Sequence, residues 1–497
     1  MDTRTAVSQS QPLPGEMAPG GSPPSPPGYG EILGFSLPLV LALSTHAVHN
    51  LVDAAFVGQL GPAPLAALAI ANFTYISGMV VLLGLIRSAM AFLSQSYGAG
   101  QREKLGDWVG QYQWVALVSL PILLVLMQGF PWVARLADLS PSTEADARRF
   151  LAIRVWEVPF ALTSALYATL HNATGRSVFP MAVQWSTVGL NALLNYGLVL
   201  GHFGLPRLGL AGSATATLIA QVCGASIMLA GTHGGALRRA YRLRLLDWPR
   251  AAPLQQLLKV GLPQGLGDGL EVVAFLAFFV IVGQLGEQAL AASNIGMQVT
   301  HLLFMPGIAM GIAGASLMGR FIGMGAPLVG RVAAHRILGM TIAYMGVLGI
   351  PLWFFGETIA GWFIADADVV RQAGWVFKIM AVYQIFDAAG IVLRITLSGA
   401  GDTRFPMASV AGCAALVMIP FSWGLSRWLT PGIVGAWLGV LGYIVVLGIV
   451  LLWRFEGGAW MRLSVIRHGY AVPAAGTPHA LGERLAAPSP APAEKAP

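Results

Sequence analysis

Four acidic residues, Asp53, Glu157, Glu271 and Asp387, fall inside long apolar runs. A charge near the centre of a bilayer costs at least about 2.5–3.5 kcal/mol on insertion scales, so such residues persist where they pair, face water, or carry protons or ions. Glu271 lies in GLGDGLEVVAFLAFF, with Asp268 one turn earlier. Asp387 lies in YQIFDAAG, with Tyr383 four residues before it and so on the same helix face. If the two helices meet, two carboxylates and a phenol make a site for a monovalent cation such as sodium. Their mutual repulsion also suits proton carriage. The competing structural reading is a pair with Lys378 or Arg394. Lys378 is nine positions from Asp387, near the opposite face, and Arg394 is two turns along on the same side.

Asp53 lies in HNLVDAAFVG, and Asn191 and Asn195, four apart in LNALLNYG, share a face. The two amides and the carboxylate are expected to form an oxygen-rich cage for a cation or proton. The plainer reading is a helix-end carboxylate near the interface. Asn172 is a weaker candidate. Glu157 precedes Pro159 and has Arg154 one turn away, which fits an intrahelical ion pair as well as a functional role. Pro38 and Pro263 can kink their helices, or are simply tolerated membrane prolines.

The elements that must hold these residues follow from composition. Hydrophobic residues make up 56% of the chain and charged residues 10%, far from the ~25% charged of soluble domains. This predicts an all-α integral membrane protein. The 61 glycines suit close helix packing in lipid. Twelve spans are expected, near 31–57, 65–93, 106–133, 148–171, 178–200, 209–232, 254–283, 289–318, 331–355, 369–396, 405–425 and 433–454. The net charge of +7 comes from short basic loops, above all ALRRAYRLRLLDWPR, and not from a nucleic-acid-binding face. With Arg135, Arg148 and Arg149 as the main exceptions, the basic loops fall on one side, which places both termini in the cytoplasm. Cys223 and Cys413 read as small core residues.

VGQLG occurs at Val57–Gly61 and again at Val282–Gly286, an offset of 225. FPMA occurs at Phe179–Ala182 and again at Phe405–Ala408, an offset of 226. Two motifs in register mark an internal repeat of six spans. An even number of spans makes the copies parallel, around a central cleft. The expected organisation is a disordered tail (1–30), an N-terminal lobe (31–232), a basic linker (233–253), a C-terminal lobe (254–455) and a largely disordered tail (456–497). Rocking the lobes about their cleft gives alternating access. Ion entry can drive cargo only if the ion favours one state over the other.

The stretches LVDAAFVGQLGPAPLAALAIA, GQLGEQALAASNIGMQV and LSGAGDTRFPM, in this order, resemble the multidrug and toxin extrusion (MATE) family over about 31–455, with a lean toward its NorM-like branch. The resemblance implies a cation site at Glu271, Tyr383 and Asp387, and matching acidic and amide positions at Asp53, Asn191 and Asn195. It further implies a monomeric antiporter in the bacterial inner membrane, without a cofactor. Such a protein exports organic cations or amphipathic compounds in exchange for sodium ions or protons, in contact with lipid and not with nucleic acid. Ser398 stands where the family often has Arg, and His46 and His301 receive no role. A lipid-linked oligosaccharide flippase of the wider superfamily is the alternative, kept open by Lys378 and Arg394. HExxH, GxSxG and P-loop patterns do not occur, which removes support for those enzyme chemistries and for ATP driving.

Overall fold

The computed structural model describes residues 24–136, 138–429 and 432–466. Twelve long helical segments cross the bundle: α1 (Tyr29–Gly58), α2 (Pro62–Gly98), α3 (Lys104–Met127), α4 (Pro141–Ala173), α5 (Val178–Leu198), α6 (Leu210–His233), α7 (Ala251–Gly283), α8 (Glu287–Gly323), α9 (Pro327–Gly361), α10 (Ala367–Gly399), α11 (Arg404–Trp428) and α12 (Ile433–Glu456). Eleven of them are long and apolar enough to span a membrane; the exception is α5, whose apolar run is interrupted by Gln184, Asn191 and Asn195. Helix starts use local chemistry. The Asp366 carboxylate accepts from the amides of Asp368 (2.9 Å) and Val369 (3.0 Å) at the head of α10. Pro38 and Pro263 are carried inside continuous helices. Irregular turns lie elsewhere: at Ser88 in α2, at Val155–Glu157 in α4, at Phe355, four residues after Pro351, in α9, and in the π-helical turn Ala414–Met418 of α11.

The helices sort into two cores. Tyr112, Phe150 and Tyr167 are fully buried within α1–α6, and Phe278, Phe377, Trp437 and Phe455 within α7–α12. The repeat is visible in the backbone. Gly61 and Gly286 share a φ of 113°, and Gly100 and Gly325 have 72° and 73°. These left-handed corners suit glycine alone, and they recur at the 225 offset. The segment between the lobes is tied to α3: the amide of Gly106 donates to the Tyr241 carbonyl (3.0 Å), and Arg250 pairs with Asp107 (3.0 Å). Residues 1–23 and 467–497 of the expected tails lie outside the described residues. Within the C-terminal stretch that is described, Trp460 is buried, and Val465 and Ile466 pack into the N-lobe core.

The lobes join through small residues. A methyl group added at Gly265 of α7 would lie 2.2 Å from the Val81 carbonyl oxygen of α2, so only glycine permits this approach. At the ends of α2 and α8 the contact repeats itself across the pseudo-twofold. An added Cβ at Gly98 would lie 2.0 Å from the Arg320 carbonyl oxygen, and one at Gly323 2.1 Å from that of Gln95. Gln95 and Arg320 are themselves one repeat apart. The Gln95 side chain donates to the carbonyl of Gly399 at the end of α10 (3.2 Å). Arg320 donates to the carbonyl of Ala173 at the end of α4 (2.9 Å). Each lobe thus supplies a donor for the exposed carbonyl end of a helix in the other lobe. The Val465 amide also donates to Gln95 (3.0 Å), which ties the C-terminal segment into the same seam.

Candidate functional site

The N-lobe cluster is sealed. Asp53 is fully buried on α1, beside Asn191 and Asn195 of α5, both also fully buried. Asn195 Nδ2 donates to Asp53 Oδ1 (2.8 Å) and lies 3.0 Å from Asn191 Oδ1, while Asn191 donates to Thr217 (3.2 Å). The carboxylate therefore faces an amide N–H, so the expected oxygen-rich cage is lined by a donor on this side. Asp53 Oδ2 has no hydrogen-bond partner among the described residues; His49 Nε2 stands 3.6 Å away and Arg154 Nη1 3.9 Å.

Arg154 is the centre of this cluster. Its Nε donates to Glu157 (3.2 Å), its Nη1 donates to Asn72 (2.7 Å), and its guanidinium lies 4.9 Å over the Tyr75 ring. The Arg154–Glu157 pair forms as the spacing allows, but inside the lobe, with both side chains buried. Asn72, Tyr75 and His49 were not legible as members. Arg154 had a signal, because an arginine in an apolar span is costly and needs a partner. Asn172 lies apart from the cluster, with its carbonyl engaged by Ser316 (2.8 Å) and Arg320.

The C-lobe cluster is less enclosed. Glu271 and Asp387 are partly exposed, and Tyr383 is buried one turn before Asp387. Arg394 Nη1 donates to Glu271 (2.6 Å) and stands 3.7 Å from Asp268, which also accepts from Arg87 of α2 (2.5 Å). Arg87, Asp268, Arg394 and Glu271 form an alternating row of charges that begins in the N-lobe and ends in the C-lobe. Asp387 has no salt-bridge partner among the described residues, although Glu271 and Arg394 are its electrostatic neighbours. Lys378 is directed elsewhere, 4.6 Å over the Trp375 ring. The buried Tyr443 on α12 also interacts electrostatically with Glu271, Arg394 and Asp387. His46, at the repeat position of Glu271, is exposed and interacts electrostatically with Arg87. Among the described residues no three His, Cys, Asp or Glu side chains converge to hold a metal ion.

Two parallel six-helix lobes, joined at one end and each carrying embedded carboxylates, define a transporter of the alternating-access class. The MatE family model matches residues 38–197 and 263–423, once in each lobe. The chain belongs to the MatE family of membrane transporters. It is 30% identical over 431 residues to a probable multidrug resistance protein NorM of Burkholderia mallei, covering 85% of this chain and 91% of that one. It is 27% identical over 441 residues to the multidrug resistance protein PmpM of Pseudomonas aeruginosa, with 86% and 91% covered. Its fold matches that of the Vibrio cholerae MATE transporter VcmN in the bent form, with a TM-score of 0.79 at 19% identity, over 87% of this chain and 97% of that one.

Proposed function

We propose that the chain is a secondary active multidrug efflux antiporter of the bacterial inner membrane, with both termini cytoplasmic. It exports organic cations or amphipathic compounds in exchange for sodium ions or protons. The observation that carries this reading is the contrast between the seam and the site. The lobes are sewn together at the Gly98/Gly323 end, while Glu271, Asp387 and Arg87 are only partly buried and His46 is exposed. With the Gly98/Gly323 end cytoplasmic, this is an outward-facing state. Ion binding at Glu271 and Asp387, at Asp53 with Asn191 and Asn195, or at both, biases the lobes between states, and the lobes act within one monomer surrounded by lipid. The test is ethidium movement in proteoliposomes under an imposed proton or sodium gradient. Gradient-driven flux that D53N, E271Q and D387N reduce supports the reading. Normal flux in all three variants sinks this site assignment.

The accessible arginines Arg87 and Arg394 favour a second reading, a flippase for an anionic lipid-linked cargo. That reading requires headgroup movement without an ion gradient, or with no competition from ethidium.

A further inference from the structure

The embedded carboxylates differ in one respect. Asp53 has His49 (3.6 Å) and Arg154 (3.9 Å) beside it. Glu157 has Arg154 at 3.2 Å. Asp268 has Arg87 at 2.5 Å and Arg394 at 3.7 Å, and Glu271 has Arg394 at 2.6 Å. Among these and Asp387, only Asp387 lacks a basic side chain within ion-pair distance in the described residues.

We propose that Arg394 sets the ion selectivity of this transporter: its guanidinium holds, on a tether, the place at Glu271 that a free cation would take, and leaves Asp387 to exchange a proton and not sodium. The proposal rests on the antiporter reading above.

Charge leaves room for one monovalent cation, and coordination decides which. The groups around Asp387 are Glu271 of α7, Arg394 and Tyr383 of α10 and Tyr443 of α12; Arg394 links them to Asp268 of α7, and Asp268 to Arg87 of α2. With both arginines charged, the three carboxylates leave one uncompensated negative charge, which a single proton on Asp387 neutralises. A sodium ion needs several oxygen ligands at once. One Glu271 oxygen, Oε2, already accepts from Arg394 at 2.6 Å. The guanidinium repels any cation at Asp387, but a sodium ion bridging to Glu271 would sit against the group that Glu271 already holds at 2.6 Å. At the dielectric of a partly exposed site, repulsion between unit charges a few ångströms apart exceeds a factor of ten in binding. A proton, held by one oxygen through a covalent bond, needs neither the second carboxylate nor the space. In the buried N-lobe cluster Arg154 pairs with Glu157 and stands 3.9 Å from Asp53, so a resident cation lies beside both carboxylates there too, and Asn195 turns a donor toward Asp53.

The deciding experiment compares wild type, R394Q, R394K and D387N as full chains in proteoliposomes, with ethidium as the probe and a proton or a sodium gradient imposed separately. The expected result is proton-driven flux in the wild type, with sodium-driven flux at less than about one-tenth of it. R394Q gains sodium-driven flux of at least about tenfold over the wild type, because Glu271 and Asp387 then face each other without a resident cation. R394K keeps the proton preference, because the charge remains, and D387N loses proton-driven flux. Sodium driving the wild type as well as protons do overturns the proposal but leaves the antiporter reading standing. So does an R394Q protein that still uses protons and gains no response to sodium. If R394Q does not fold, sodium titration of solubilised wild type and R394K by tryptophan fluorescence decides: saturable binding in the millimolar range overturns the proposal, and its absence together with proton-driven flux supports it. Ethidium binding with no flux in any protein under either gradient removes the antiporter reading itself and the proposal with it.

Discussion

The two lobes share a backbone but not a chemistry. At the repeat offsets, Asp53 corresponds to Phe278, Asn191 to Val417 and Asn195 to Phe421; Arg154 corresponds to Met380, and Glu157 to Tyr383. In the other direction, Glu271 corresponds to His46, Asp387 to Ala161 and Arg394 to Ala168. Each polar cluster therefore occupies positions that the other lobe mostly fills with apolar or aromatic side chains. The N-lobe cluster is closed, with Asp53 at 0% exposure. The C-lobe cluster is open, with the Glu271 and Arg394 side chains at 29% and 21%. Duplication preserved what joins the lobes, and the sites diverged. A sealed carboxylate with a resident arginine suits a structural or slowly exchanging role, whereas an accessible carboxylate without one suits rapid exchange.

The largest expected effect tests the sealed side. In Arg154→Gln, Asp53 loses its arginine neighbour, and Glu157 is left buried and unpaired within the lobe. Removing one partner of a buried pair costs about 3–5 kcal/mol. Thermal unfolding in detergent should show a loss of that order. A shift no larger than that of a surface variant would mean the cluster takes up water, and the contrast with the C-lobe would fail.

The next effect tests the part that the lobes share. Gly98→Ala and Gly323→Ala each place a methyl group against backbone of the opposite lobe, 2.0 and 2.1 Å from a carbonyl oxygen. Backbone cannot turn aside as a side chain can, so the helices must part, at a cost of about 1–3 kcal/mol in a packed contact. That cost falls on the state in which the seam is closed and shifts the population by roughly five- to a hundred-and-fiftyfold. Spin labels near Gly61 and Gly286 should then report shorter distances between the lobes, by equal amounts for the two variants. Unequal shifts would show that the two halves of the seam differ in strength, as Gln95 and Arg320 differ in charge.

The seam also marks the limit of what the sequence discloses. VGQLG and FPMA reveal a repeat because their letters are identical. Gln95 and Arg320, or Ala173 and Gly399, keep the role and change the letter, so their equivalence appears only once the hydrogen bonds are seen. The twelve helices were legible because an apolar run of membrane length has few other meanings. Even α5, with its two asparagines, reads as a span by position. The meeting of Asp53 with Asn195 needs, beyond the four-residue spacing of the amides, that α1 and α5 touch. The Glu271–Arg394 contact joins residues 123 positions apart on two helices, and no local periodicity carries that information. The same holds for Asn72 and Tyr75, ordinary residues that became site residues because α2 packs against α4.

The smallest expected effect sharpens the comparison most, because it repeats the first experiment on the open side. Glu271→Gln removes the carboxylate from a pair whose members are both partly exposed, and Arg394 keeps Asp268 at 3.7 Å and the Asp387 charge nearby. Water screens what remains, so the loss should lie within about 1 kcal/mol, the range of exposed pairs. The same type of substitution should thus cost several-fold less stability here than at Arg154, while its effect on gradient-driven flux should be the larger of the two relative to the amount of folded protein. Should Glu271→Gln destabilise as much as Arg154→Gln, the Arg87–Asp268–Arg394–Glu271 row is a structural tie between the lobes, and the contrast between a closed and an open cluster fails.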